Sequence, residues 1–363
     1  MEYNWQQPDW PHFRYELGPL EPDLYAFADK SGLVGGMLKA LPEEGQKQAI
    51  LDVMIAEAIK TSEIEGEYLS RPDVTSSIRN QIGLNAKLEP VKDLASKGAA
   101  ELMVAVRETW NERLTPKALF DWHRTLFQGN HRIKVGAWRR HTEPMQVVSG
   151  PIGRQVVHFE APPSDRVPEE MKAFVSWFNQ CREKIAYAPV RAGLVHLYFE
   201  SIHPFEDGNG RIGRALAEKA LSQGLKRPVL LSLSQTIEGQ KQAYYDALNK
   251  AQRSNEVTPW LQYFLKTVLE AQIQAERQVD FVLRKTRFFD RNQSALSARQ
   301  LKVVRRMLDE GADGFKGGIN ASKYANLTRA SKATATRDLQ DLLEKDVLVS
   351  IGGGRSTRYE LNL

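Results

Sequence analysis

Apolar residues recur at three- and four-residue spacing through most of this chain, which predicts a mainly helical fold. Residues 1–40 carry Tyr3, Trp5, Trp10, Phe13 and Tyr15 among Pro8, Pro11, Pro19 and Pro22, the texture of a packed arm with a helix after it. Ile50, Leu51, Met54, Ile55, Ala58 and Ile59 form an apolar stripe on a helix over residues 43–65, and Gly66 is suited to end it. Helices are predicted over 91–112 and 116–128 as well. The pattern then changes. Residues 146–149 and 154–159 are β-prone runs around the turn at 150–153, which marks a hairpin closed by Ala161, Pro162 and Pro163. Ser164 is read as the cap of a helix over 164–184 with Val167, Met171, Phe174, Val175 and Phe178 inward. Further helices are predicted over 189–202, 211–223, 236–251 and 258–282, and residues 284–292 read as a polar connector or helix end.

The last section has its own pattern. A helix over 297–308 precedes two short helices over 322–327 and 332–345, then strands over 347–350 and 358–361 around Gly352, Gly353 and Gly354. Helix, helix-turn-helix and glycine-tipped hairpin make a winged-helix arrangement. Three domains are expected: an N-terminal module over 1–90, a central domain over 91–283 and the winged helix over 291–363.

Charge sharpens this division. The net charge is +5, and residues 291–363 hold 13 Lys+Arg against 8 Asp+Glu, so the whole excess lies at that end. Lys332, Thr334, Thr336 and Arg337 fall on the second helix of the turn, with Arg355 and Arg358 in the wing. That basic face suits DNA phosphates. Asp338 and Asp341 dilute it, and a protein partner is an equal alternative. With 42% hydrophobic and 26% charged residues the composition is that of a soluble globular protein. No apolar run approaches the ~18–20 residues of a membrane span, and the first ten residues lack the pattern of a signal peptide. Cys181 is the single cysteine, which excludes an internal disulfide and points to a reducing, cytoplasmic setting. It reads as a packing residue, and no Cys/His cluster has zinc spacing.

The chemistry concentrates in residues 201–214, SIHPFEDGNGRIGR. Glycines let a backbone approach an anion closely, and the amides that open a helix point at it. Arg211 and Arg214 are three apart, so on a helix they share a face and can share a polyphosphate. Asp207 is a hard oxygen ligand suited to Mg²⁺. His203 can serve as a general base near neutral pH. Gly208, Gly210 and Gly213 also spell the dinucleotide fingerprint, but that reading needs a preceding strand, whereas Val195, Phe199 and Ile202 recur at helical spacing. His123, His131, His141 and His196 read as structural histidines. His196 lies two turns before His203 on the same helix.

The stretch resembles the Fic family motif HPFxDGNGRxxR at each fixed position: His203, Pro204, Phe205, Asp207, Gly208, Asn209, Gly210, Arg211 and Arg214. The resemblance implies a Fic-type helical bundle that transfers AMP from ATP, with Mg²⁺, to a Ser, Thr or Tyr hydroxyl of a protein. By that resemblance His203 is the base and Asp207 holds the metal. The loop from Glu206 through Gly208, Asn209 and Gly210 cups the phosphates, although Glu206 sits at the variable position and is expected to be solvated. Asn209 stabilises charge on the α-phosphoryl group, Arg211 binds the β-phosphate and Arg214 the γ-phosphate, while Phe205 anchors the loop in the core. Thr61, Glu65 and Gly66 match the inhibitory motif [S/T]xxxE[G/N] of self-inhibited Fic proteins, where the glutamate pairs with the second arginine, here Arg214. The hairpin corresponds to the family's flap beside the active site, with Val156, Val157, His158, Phe159 and Glu160 as the stretch expected to meet nucleotide or target. Tyr244 is expected near adenine and Gln252 at the nucleotide.

Two other readings share these residues. In one, Glu65 positions a water and the site removes AMP from a modified protein. In the other, the chain is a DNA-binding regulator that only senses ATP, against which the intact His203 and Asp207 weigh. Self-modification is a further option. The target protein and the oligomeric state, a homodimer included, are left open by the sequence.

Overall fold

The computed structural model describes residues 2–130, 132–150, 154, 156–311, 314–353 and 357–363. The chain divides into two compact units, residues 1–33 with 50–275, and residues 34–49 with 276–363. His131, three residues of the hairpin turn (151–153) and the wing residues Gly354 and Arg355 lie outside the described residues.

The first unit is helical with one hairpin, and three of the helices named next extend beyond it, since residues 34–49 and 276–292 belong to the second unit. After the N-terminal arm come α1 (Glu21–Ala40), α2 (Glu43–Ile64), α3 (Arg71–Gln81), α4 (Leu94–Glu108) and α5 (Pro116–Leu126). The hairpin pairs β1 (Gln146–Ser149) with β2 (Val156–Glu160), antiparallel, with Gln146 opposite Glu160 and Ser149 opposite Val156. Then follow α6 (Val167–Lys184), α7 (Ala188–Ile202), α8 (Asn209–Leu225), α9 (Leu233–Gly239), α10 (Lys241–Ala251) and α11 (Thr258–Asn292).

Every residue of α7 is buried. A helix enclosed on all sides sits at the centre of a core, and α8 packs along it. Leu194, Val195, Tyr198, Phe199 and Ile202 of α7 join Ile212, Leu216 and Ala220 of α8 in one cluster with residues from α2, α4, α5, α6 and α11. The loop between α7 and α8 is therefore anchored at both ends in the rigid part of the molecule. The N-terminal arm pins the hairpin: Trp5 Nε1 donates to Glu160 O at 2.7 Å, and Tyr3 packs edge-on against Phe159.

Several elements differ from expectation for identifiable reasons. Helix α4 starts at Leu94 because the Asp93 carboxylate accepts from the backbone N–H of Ala95 and Ser96. Helix α3 was not anticipated, although Ser70 caps it and Pro72 stands in its first turn. The single helix expected over 236–251 is two, α9 capped by Ser232 and α10, with Gln240 out of helical geometry between them. Ser164 does not cap α6; its Oγ accepts from Arg139, and α6 begins three residues later at Val167. The polar stretch 284–292 is the last part of α11.

One close approach matters for packing. A Cβ on Gly98 of α4 would overlap the carbonyl oxygen of Thr125 and lie 2.9 Å from that of Leu126. Backbone cannot yield there, so Gly98→Ala is expected to destabilise by about 1–3 kcal/mol. Scanning calorimetry would register this as a melting point several degrees lower.

The second unit contains α12 (Ala298–Leu308), α13 (Ala321–Thr328) and α14 (Lys332–Glu344), followed by antiparallel β3 (Leu348–Ile351) and β4 (Arg358–Leu361). Val303, Val304, Leu308, Tyr324, Leu339 and Leu342 are among its core residues. Ile319 bridges Tyr359 of β4, which ties the segment before α13 to the small sheet. Three helices and a hairpin in this order match the expected winged-helix arrangement.

Candidate active site

The α7–α8 loop is shaped by backbone geometry that few residues adopt. His203 caps α7 in the left-handed region at φ 50°, ψ 60°. For a residue with a Cβ this is uncommon and is retained where the surroundings impose it. Gly208 caps the start of α8 at φ 79°, and a Cβ there would stand 2.6 Å from the Phe127 ring. Between them Phe205 is fully buried and stacks on His123 with ring centroids 4.2 Å apart. Asn209 closes the loop: its Oδ1 accepts from Phe205 N and its Nδ2 donates to Phe205 O, both at 2.9 Å. The Asn209 side chain is thus committed to the loop itself rather than turned toward a phosphoryl group. Glu206 is likewise engaged and not simply solvated, its Oε2 accepting from Lys134 N at 2.9 Å.

His123 is part of this scaffold. Gly136 N donates to its Nδ1 at 2.9 Å, so the ring proton is on Nε2, which donates to Asp207 O at 3.2 Å. Burial pushes its pKa down to about 4, so the ring stays neutral. Arg139, 1% exposed, clamps the other side. Its Nε donates to His203 O at 2.8 Å, and its other donors reach Ile202 O, Pro162 O and Ser164 Oγ. One guanidinium therefore ties the exit of the hairpin to the loop that carries His203.

The arginines open the inner wall. Arg214 is 1% exposed; its Nη2 donates to Glu65 Oε1 at 2.7 Å and to Thr61 O, and its Nε donates to Thr61 Oγ1 at 2.8 Å. Thr61 and Glu65 meet Arg214 because they lie one helical turn apart at the end of α2. Arg211 is as deeply buried, pairs with Glu67 and stacks over Phe127 at 4.8 Å. Each arginine of the loop is thus occupied by a carboxylate from the end of α2 or the residues after it. The Glu65 carboxyl also lies against Gly210, where a Cβ would overlap its Oε1. Burial works to raise the Glu65 pKa, but the charge and hydrogen bond of Arg214 and the charge of Arg211 outweigh it and hold the group below the usual carboxylate range.

Asp207 differs from these: its side chain is 52% exposed and its Oδ1 accepts from Gly208 N at 2.6 Å. Among the described residues no group of three His, Cys, Asp or Glu could hold a metal ion by itself. A lone exposed carboxylate fits Mg²⁺, which is commonly held by one or two carboxylates together with substrate phosphates. His203 lies within 3.6 Å of Glu200. Burial first, and the Arg139 charge second, push its pKa down to about 4, so at neutral pH it is an uncharged imidazole able to accept a proton. Burial pushes Glu200 up to about 8.

The remaining expected residues divide. On the hairpin, Val156 and Val157 are exposed, and His158 bonds Ser149 Oγ at 2.6 Å. Phe159, expected at the nucleotide or target, is instead core, packed against Tyr3 and Trp5. Tyr244 is fully enclosed with its hydroxyl 2.8 Å from His196 Nε2, and shows no open ring face in this conformation. Gln252 is buried and donates to Glu200 O at 3.2 Å, and its own carbonyl accepts from Asn4 N. It supports α7 rather than facing the loop. Glu67, Glu200, Arg139 and His123 were not anticipated at the site. Two left a sequence signal, Glu67 two residues after Glu65 and Glu200 three residues before His203.

Comparison with known proteins bears on the fold and the domains. Residues 3–84 match a domain of unknown function (DUF4172), 113–221 match the Fic/DOC family, and 316–362 match the C-terminal domain of DIP2311-like transcriptional regulators. A protein adenylyltransferase Fic of Culex quinquefasciatus is 26% identical over 224 residues, 61% of this chain and 41% of that protein. Another, of Nematostella vectensis, is 23% identical over 245 residues, 67% of this chain and 52% of that protein. The chain spans about half the length of these relatives or less. A Fic family protein from Desulfovibrio desulfuricans G20 superposes with a TM-score of 0.53 at 20% identity, covering 94% of this chain and 96% of that one. Fic-1 from C. elegans gives 0.53 at 17% identity over 74% of each. No helix among the described residues is long and apolar enough to cross a membrane. The chain therefore has a Fic-type fold, with a Fic/DOC family domain at residues 113–221 and a DIP2311-like C-terminal domain at 316–362.

Proposed function

We propose that this protein transfers AMP from ATP to a Ser, Thr or Tyr hydroxyl of a protein target, and that the conformation described is its inhibited state. The observation that carries the reading is the Glu65–Arg214 ion pair at the rim of a loop whose histidine is neutral and whose aspartate is exposed. In the active state Arg211 and Arg214 bind the β- and γ-phosphates, and the first amides of α8 receive negative charge at its N-terminus. Asp207 would hold Mg²⁺, which supplies neutralising charge between the phosphates. His203 takes the proton of the attacking hydroxyl as its oxygen bonds to the α-phosphorus. The bond to the bridging oxygen breaks and pyrophosphate leaves. Positioning and charge stabilisation carry catalysis of this kind. The exposed Val156 and Val157 give the hairpin apolar side chains against which a target segment can pack.

The test is mass spectrometry of a lysate incubated with Mg-ATP and the Glu65→Gly protein. The reading expects adenylylated Ser, Thr or Tyr peptides that are missing when His203→Ala is added. Release of AMP from a modified protein by the wild type, with no transfer by either form, would instead establish the reverse, hydrolytic reaction.

A second reading, DNA binding by the C-terminal unit, gains from its ion pairs. Asp338 is taken up by Arg299 and the Tyr324 hydroxyl, and Asp341 by Lys345 and Gln300. Neither acid stands free to repel a phosphate, while Lys332, Thr336 and Arg337 are exposed on α14 and Arg358 on β4. In fluorescence titrations with duplex DNA, Arg337→Ala is expected to weaken binding and reduce the slope of log affinity against log salt by about one. An unchanged slope would leave α14 to a protein partner.

A further inference from the structure

We propose that Glu200 is the positioning residue of His203: its carboxylate accepts a hydrogen bond from the Nδ1–H of the imidazole and so leaves the Nε2 lone pair to receive the substrate proton. The inference rests on the reading of His203 as the base. It starts from two buried atoms without a partner. Among the described residues neither His203 Nδ1 nor Glu200 Oε1 makes a hydrogen bond. The other carboxylate oxygen, Oε2, stands 3.6 Å from Nδ1, and both side chains are largely enclosed. Buried polar groups are rarely left unpaired, and those that are often have a task. Residues 200 and 203 are three apart on α7, and the left-handed turn at His203 ends the helix just there, so the ring lies back over its last turn.

The chemistry requires such a partner. A histidine that accepts a proton at Nε2 must carry its own proton on Nδ1, and a buried carboxylate there fixes that tautomer and stabilises the imidazolium that forms. A gap slightly beyond hydrogen-bond length is usual in a free enzyme and closes in the complex. The Glu200 backbone carbonyl also faces the ring. It accepts from Gln252 Nε2 at 3.2 Å, whereas the carboxylate oxygen Oε1 has no donor at all.

The arrangement couples base to inhibition. The charged and titratable groups around Glu200 are Arg214 from α8, Glu65 from the residue after α2, His196 and His203 from α7, and Tyr244 from α10. Burial raises Glu200, Arg214 lowers it and Glu65 raises it again. With Glu65 in place, Glu200 keeps its proton up to about pH 8. A protonated Glu200 offers Nδ1 a donor in place of an acceptor, which favours the ring proton on Nε2 and weakens the base. When Glu65 leaves, the full charge of Arg214 acts on Glu200, the carboxyl ionises at lower pH and the base is restored.

The experiment uses the full chain labelled with ¹⁵N-histidine, in the Glu65→Gly form with and without Glu200→Gln, and with His203→Ala to assign the signal. The proposal expects His203 to carry its proton on Nδ1 in Glu65→Gly. It also expects Glu200→Gln to lower the rate of AMP transfer by about 10²-fold or more and to remove the acid limb of its pH profile. That limb should lie at lower pH in Glu65→Gly than in the wild type. If Glu200→Gln does not fold, the pH at which the Nδ1 tautomer is lost decides: it should fall in Glu65→Gly relative to the wild type, and a tautomer that does not change with pH overturns the proposal. A proton on Nε2 in Glu65→Gly overturns the proposal; a tautomer and pH profile unchanged by Glu200→Gln overturn it as well and assign the ring's orientation to the backbone carbonyl. Absence of AMP transfer from Glu65→Gly would sink the functional reading while the tautomer still answers for Glu200.

Discussion

His203→Ala, introduced into the Glu65→Gly protein, is expected to reduce transfer of labelled AMP by about 10²- to 10⁴-fold, the usual contribution of general-base catalysis. The expectation follows from charge and position. Burial and Arg139 keep the imidazole uncharged at neutral pH, and its place at the end of α7 sets it beside the mouth of the loop. The substitution should leave nucleotide affinity and fold intact. The loop is held through the backbone of His203 and through Asn209 and Arg139, none of which depends on the imidazole. Calorimetric titration with ATP, run beside the labelling assay, separates the two effects. A His203→Ala protein that binds ATP normally and still labels at the parent rate would remove His203 from the chemistry.

Glu65→Gly should tighten ATP binding about 10- to 100-fold, within the range of ordinary coupling energies. Arg214 is nearly inaccessible and spends its charge on Glu65 and Thr61, so a γ-phosphate must displace a carboxylate to reach it. Removing that carboxylate also leaves a buried cation without its partner, which is destabilising. The variant should therefore melt lower than the wild type without nucleotide and recover when ATP is added. Glu67 makes the effect graded. It pairs with Arg211, the proposed β-phosphate ligand, but its side chain is 42% exposed, so Glu67→Gln should add a smaller gain than Glu65→Gly. Equal ATP affinity in wild type, Glu65→Gly and the double variant would show that neither acid competes with phosphate.

Much of this architecture was legible because the signals are local. The α2 stripe, the buried α7 and the hairpin at 146–160 each declare themselves through spacing within a few residues. The loop at 203–214 did so as well, since glycine positions and the arginine pair are short-range features. Where local signals competed, boundaries moved. The break at Gln240, just after Gly239, divided one expected helix into α9 and α10, and arginines along 284–291 hid the continuation of α11.

What the sequence by itself determined is which residues could do chemistry: a histidine, an aspartate, two arginines and a glutamate in a motif set apart from them. Tertiary structure alone decided which atoms meet. Only folding brings Glu67, 144 positions away, onto Arg211, turns Asn209 inward to close its own loop, and places Arg139 on the carbonyl of His203. Spacing along one element constrains neighbours on that element, because helical geometry is regular. Contacts between elements depend on how the core packs, and no local pattern encodes that.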